Sequence, residues 1–68
     1  MFSQFAKQKR LENNLTQHQC SRALCYKNRS TFQRLETGKI KWSLDDLQNF
    51  ADLLNVKLSE LIAEYENQ

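Results

Sequence analysis

The sequence predicts a small all-α domain of five helices and no strand. Three observations carry this. Apolar residues recur at three- and four-residue spacing, most clearly in Leu44, Leu47, Phe50, Ala51 and Leu54. The chain has no proline and a single glycine, Gly38, so little interrupts long helical stretches. Polar residues suited to helix ends and turns stand between the periodic segments: Asn14, Thr16, Asn28, Ser43 and Asn55. Sixty-eight residues make one domain, spanning 1–68. The helices are expected at about 3–13, 17–25, 29–37, 44–54 and 58–65, boundaries set by periodicity and caps.

The first helix takes its apolar stripe from Phe2, Phe5 and Ala6, with Leu11 less well placed. Asn14 suits its end because asparagine tolerates left-handed backbone. Thr16 caps the second helix, and Gln19 three residues later completes a capping-box pattern. Cys20, Ala23 and Leu24 follow at helical spacing. Cys25-Tyr26-Lys27-Asn28 is a short turn, and Asn28 is a natural cap for the third helix. There Phe32 and Leu35 point inward, and Gly38 terminates the helix. After the loop Lys39 to Trp42, Ser43 caps the fourth helix, with Asp45 and Asp46 in the first turn, where the helix dipole favours anions. Leu44, Leu47, Phe50, Ala51 and Leu54 are its expected buried stripe, and Asn55 ends it. Leu58, Leu61, Ile62 and Tyr65 belong to the fifth helix.

Size and charge narrow the function. A chain this short buries only about 60% of its unfolded surface, which leaves little room for a deep catalytic pocket. An enzyme is therefore not expected. No stretch of about 18 apolar residues exists, so no membrane partner is expected. The start, Met1-Phe2-Ser3-Gln4-Phe5, lacks the features of a signal peptide, and the expected compartment is the cytoplasm. Two cysteines, Cys20 and Cys25, lie five apart, a helical spacing that turns them away from each other. Together with His18 they match no tetrahedral zinc pattern, so neither metal nor cofactor is expected. The net charge is only +2, but residues 1–41 carry nine Lys or Arg against two acids, a balance of +7, and residues 42–68 carry one base against six acids, a balance of −5. A basic half joined to an acidic half fits one face meeting a polyanion.

The central pattern runs from Leu15-Thr16-Gln17 through an alanine-bearing helix and a short turn to Arg29-Ser30-Thr31-Phe32-Gln33-Arg34-Leu35-Glu36-Thr37-Gly38-Lys39. Two short helices joined by such a turn make a helix-turn-helix unit. Arg29, Ser30, Gln33 and Arg34 share one side of the second of these helices, and Phe32 and Leu35 occupy the other. An apolar anchor side opposite a hydrogen-bonding face is the build of a helix that reads the major groove.

The run LTQHQ…STFQRLETGK…SLDDLQNFADLLNVKLSELI resembles the Cro/phage-repressor helix-turn-helix family, also called the xenobiotic-response-element family, over about residues 5–65. The resemblance implies a compact five-helix, lambda-repressor-like DNA-binding domain, bacterial or phage-borne. Its function would be sequence-specific binding of double-stranded DNA as a transcriptional regulator, as a homodimer on a pseudo-palindromic operator. Gln17, first in the second helix, would clamp a phosphate and brace the reading helix; helix N-termini attract anions in any case. Arg29, Ser30, Gln33 and Arg34 would contact bases, and Thr31, Lys39, Lys41 and Ser43 phosphates. Arg10 and Glu36 match positions that form a partly buried ion pair between the first and third helices. Ile62, Tyr65 and Trp42 are the residues expected at a dimer interface. Three features depart from the family pattern. The segment between Leu24 and Glu36 is one residue longer. Trp42 stands where proline is common, with the core, DNA or a second subunit as its possible contacts. Lys9 replaces an apolar residue, and its stem is expected to lie along the core with the ammonium in water.

Two other readings are compatible with the same residues. One is a DNA-binding antitoxin or restriction-control protein with a protein partner on the acidic half. The other is an interaction module that kept the fold and lost DNA binding.

Overall fold

The computed structural model describes residues 2–67, and among these it contains five α-helices and no strand. They are α1 (Phe2–Glu12), α2 (Gln17–Ala23), α3 (Arg29–Glu36), α4 (Leu44–Leu54) and α5 (Leu58–Glu66). The element order is the expected one. The second helix ends at Ala23 rather than near residue 25, so residues 24–28 form the connection to α3.

One device closes four of the five helices. After α1, the Leu15 amide donates to the Arg10 carbonyl (3.0 Å) and the Asn14 amide to Leu11 (3.0 Å). The same crossed pair recurs at Tyr26→Ser21 and Cys25→Arg22, at Lys39→Arg34 and Gly38→Leu35, and at Val56→Ala51 and Asn55→Asp52. This closure needs one left-handed residue. Those residues are Asn14 (φ 57°), Cys25 (φ 67°), Gly38 (φ 77°) and Asn55 (φ 60°). Asparagine tolerates the position; at Cys25 a β-carbon crowds the following carbonyl.

The starts of α2 and α4 are capped as firmly. Thr16 Oγ1 accepts from the Gln19 amide (3.0 Å), and Gln19 Oε1 accepts from the Thr16 amide (2.8 Å). Ser43 and Asp46 repeat the box at α4, with both bonds at 3.0 Å. Asn28 stands at the cap of α3 but makes no side-chain cap bond. Its carbonyl instead accepts the Ser21 hydroxyl (2.6 Å), which ties the connection to α2.

The core is one cluster drawn from all five helices and the loop before α4: Phe2, Ala6, Cys20, Leu24, Phe32, Leu35, Trp42, Leu47, Phe50, Ala51, Leu54 and Leu61. Trp42 joins three of its other aromatic rings. Its ring meets Phe2 at 5.1 Å and 88°, Phe32 at 5.8 Å and 83°, and Phe50 at 5.2 Å and 51°. Tilted and edge-on pairs of this kind are worth about 0.5–1.5 kcal/mol each beyond area burial. The indole N–H donates to the Leu35 carbonyl at 3.3 Å, so burying the ring leaves no orphaned donor.

Trp42, one of the residues expected at a dimer interface, is 8% exposed. The largest side chain in the molecule fills the space that a small domain must fill somewhere. Leu44 was placed in the buried stripe of α4, but it is 63% exposed. As the first residue of the helix it precedes the turn at which the stripe meets the core. Lys9 is half-buried as expected, with its ammonium 5.6 Å from the Phe5 ring centroid and 3.3 Å from Glu12.

Candidate nucleic-acid interface

The candidate interface is built on a buried polar joint. Arg10 from α1 pairs with Glu36 at the end of α3; Nε donates to Oε2, and Nη2 reaches Oε1 at 3.4 Å. Arg10 Nη1 also donates to the Leu15 carbonyl (2.8 Å). Gln17, first in α2, donates its amide to Glu36 Oε1 (3.0 Å). Both charges are nearly excluded from water, at 8% and 6% exposure. Such a pair holds only when its remaining lone pairs and protons are satisfied, and here one carboxylate serves two elements at once. The joint sets the start of α2 against the end of α3, the geometry a helix-turn-helix unit requires. Gln17 keeps a second amide proton and a half-exposed position at the N-terminus of α2.

The sides of α3 then sort as the sequence suggested. Phe32 and Leu35 are fully buried, at 0% exposure, and anchor the helix. Arg29, Ser30, Gln33 and Arg34 are exposed, and Thr31 is half-buried. Among the described residues no acid pairs with Arg29 or Arg34, and no hydrogen bond engages the side chains of Ser30 or Gln33. The face is therefore cationic, rich in donors and uncovered. A helix whose long polar side chains carry no internal partner can give those donors to base edges.

Beside it runs the loop that joins α3 to α4. Lys39 and Lys41 are exposed, and neither meets an acid among the described residues. The loop is held at both ends. Gly38 turns the chain at its start, and Trp42 pins its other end in the core. The next residue, Ser43, is exposed. Its hydroxyl oxygen accepts from Asp46, which leaves its proton free to donate. The Leu44 and Asp45 amides have no acceptor within the helix, as at any helix start. Residues 39–45 thus collect two cations, a free hydroxyl and two free amides, groups of the kind that hold an anion.

The structure thus brings Gln17, Arg29, Ser30, Thr31, Gln33, Arg34, Lys39, Lys41 and Ser43 onto α2, α3 and the α3–α4 loop. Ile62 and Tyr65 stand on α5, partly exposed, with Tyr65 edge-on to Phe2 at 5.1 Å and lining one concave patch with Gly38, Ile40, Lys41 and Trp42.

One group near this surface escaped the sequence reading. Asp46 was seen as an anion at a helix start, but its second partner was not. It is 4% exposed and accepts the Tyr26 hydroxyl at 2.7 Å on Oδ1. That bond, with burial and the carboxylate's charge behind it, pushes the Tyr26 phenol up to about 12. The place of Asp46 in the first turn after Ser43 was legible, its reciprocal bond to Ser43 was not read, and nothing local announces a partner twenty residues away.

Neither cysteine forms a disulfide. Cys20 fills a core position and burial pushes its thiol up to about 11, whereas Cys25 is exposed. Among the described residues no group of three His, Cys, Asp or Glu side chains could hold a metal. No helix there is long and apolar enough to cross a membrane.

Comparison with known proteins gives one match. A family model described as helix-turn-helix covers residues 7–61, most of the chain, including the joint, α2, α3, the loop and α4. No curated protein and no solved structure matches.

Proposed function

We propose that this chain, which belongs to the Cro/phage-repressor type of the helix-turn-helix family of DNA-binding regulators, lays α3 in the major groove of an operator and grips the flanking phosphates from α2 and the α3–α4 loop. The observation that carries this reading is the state of α3. Its apolar side is sealed, while Arg29, Ser30, Gln33 and Arg34 stand exposed and unpaired.

The division of labour follows from chemistry. An arginine fork matches guanine O6 and N7, and the Gln33 amide matches adenine N6 and N7. Gln17, Thr31, Lys39, Lys41 and Ser43 lie where phosphates flank such a helix; they fix register and carry no sequence information. Residues 1–41 carry the net positive charge that draws a polyanion, a balance of +7.

The molecule measures 28 × 24 × 21 Å, shorter on every axis than the roughly 34 Å repeat of duplex DNA. One copy therefore spans a single half-site. A homodimer paired through Ile62 and Tyr65 would read two half-sites related by a two-fold axis. Such a regulator acts by occluding or by recruiting polymerase at its operator, and its expected compartment is the cytoplasm.

Selection of bound sequences from random duplex DNA tests the reading. A short enriched motif, repeated as an inverted pair about one turn apart, is the expected result. A single unpaired motif would remove the dimer. Absence of any enrichment, with no salt-dependent affinity for duplex, would favour a module that has lost DNA binding.

A further inference from the structure

We propose that Tyr26, in the connection between α2 and α3, is a positioning residue for DNA binding: its hydroxyl fixes the cap of α4 and so sets the phosphate grip relative to the reading helix. The inference rests on the DNA-binding reading above and concerns a residue outside the expected contacts.

The geometry is a relay of three short bonds. Tyr26 Oη donates to Asp46 Oδ1 (2.7 Å), Asp46 Oδ2 accepts the Ser43 amide (3.0 Å), and Ser43 Oγ accepts the Asp46 amide (3.0 Å). The relay begins three residues before α3 and ends on the residue whose free hydroxyl faces outward at the start of α4. The joint at Arg10 and Glu36 fixes the far end of α3. Tyr26 fixes the near end against α4, so the helix is held at both ends.

The carboxylate itself gives a second reason. Asp46 is 4% exposed and meets no cation among the described residues. A carboxylate free to turn at the mouth of a phosphate grip would repel the anion that the grip is built to hold. With one oxygen on the phenol and the other on the Ser43 amide, it is locked inward, and the amides of Leu44 and Asp45 face outward instead. The connection between α2 and α3 supplies the residue that does this. A buried acceptor that loses its donor tends to move toward water, which here means toward the phosphate.

The test compares wild type with Tyr26→Phe, and each with Ser43→Ala added. All four are titrated with a selected duplex and a random duplex over a range of salt. The runs are made in sucrose, which favours the folded state, with folding read by circular dichroism in the same buffer. Tyr26→Phe should weaken both duplexes by a similar factor of roughly 3–30 and lower the slope of log affinity against log salt by about 1, one phosphate's worth. Base preference should not change. In the Ser43→Ala background the added loss should shrink to less than about half, because both changes break one relay. A folded Tyr26→Phe chain with wild-type affinity and slope would overturn the assignment. So would a change in preference at one base, which would make Tyr26 a reader, or a chain that does not fold even in sucrose, which would make it structural alone. A wild-type chain that binds no duplex would overturn the DNA reading, a result the four-way comparison separates from the others.

Discussion

At the scale of the residue, exposed side chains without an internal partner have different work. Gln33 and Lys39 are both exposed and unpaired, but one projects from α3 and the other from a loop. Replacing Gln33 with Ala should relax preference at one base position at a cost of about 1–3 kcal/mol. Lys39→Ala should weaken all duplexes about equally. Binding to a panel of single-base operator variants checks both; a flat profile for Gln33→Ala or a selective one for Lys39→Ala would reverse the roles. Cys25 makes a different point. It holds a left-handed position (φ 67°) that costs a non-glycine residue about 1–2 kcal/mol, partly offset in a glycine variant by a freer unfolded chain. Cys25→Gly should therefore raise the urea midpoint, by a net of about 0.5–1 kcal/mol; a lower midpoint would show that the thiol contributes contacts. This strain was hidden in the sequence, since a cysteine in a turn carries no sign of its backbone angle. Asn14, Gly38 and Asn55 were legible because their chemistry favours the angle they take.

At the scale of the element, helices stay put because their ends are tied, and two of the ties titrate or carry charge. Glu36 serves Arg10 and Gln17 together. Glu36→Ala would leave a buried guanidinium without its counter-charge, at a cost of about 3–5 kcal/mol. For a domain of this size that lowers the melting temperature by at least about 12 °C. Exposed Lys7→Ala should move it little, and a Glu36→Ala melt as small as this control would show the joint to be idle.

The second tie sets an alkaline limit. The Tyr26 phenol is raised from 10.0 to about 12, and the Cys20 thiol from 9.0 to about 11. Folded groups with raised values keep protons that the unfolded chain has lost. Their stabilisation is whole below about pH 9 and is lost as pH rises through 11 and 12. Chemical denaturation between pH 8 and 12 should show this fall, shallower above pH 10 in Tyr26→Phe; equal slopes would mean that Asp46 does not hold the phenol. The caps at Thr16 and Ser43 and the α4 stripe from Leu47 onward were readable because they depend on neighbours three or four residues apart. The Tyr26–Asp46 bond was not, because it depends on how α2 and α4 pack.

At the scale of the molecule, a 68-residue chain divides its surface as it divides its sequence: a basic first part that forms α1 to α3 and the grip, and an acidic remainder that forms α4 and α5. The five-helix order was legible from periodicity and caps. The place of Trp42 was not, because a large aromatic at a loop end fits core, DNA or partner equally well until the other aromatics are located. Trp42 is buried within one chain, whereas Ile62 and Tyr65 stay partly exposed. The central claim is that the outer side of α3 and the neighbouring grip meet duplex DNA while α5 does not. Amide shift mapping by NMR on adding a selected duplex tests it most directly. The largest changes should fall on Gln17, residues 29–34 and residues 39–45, with residues 58–66 changing only if dimers form on the duplex. Changes centred on the acidic helices, or none on α3, would contradict it.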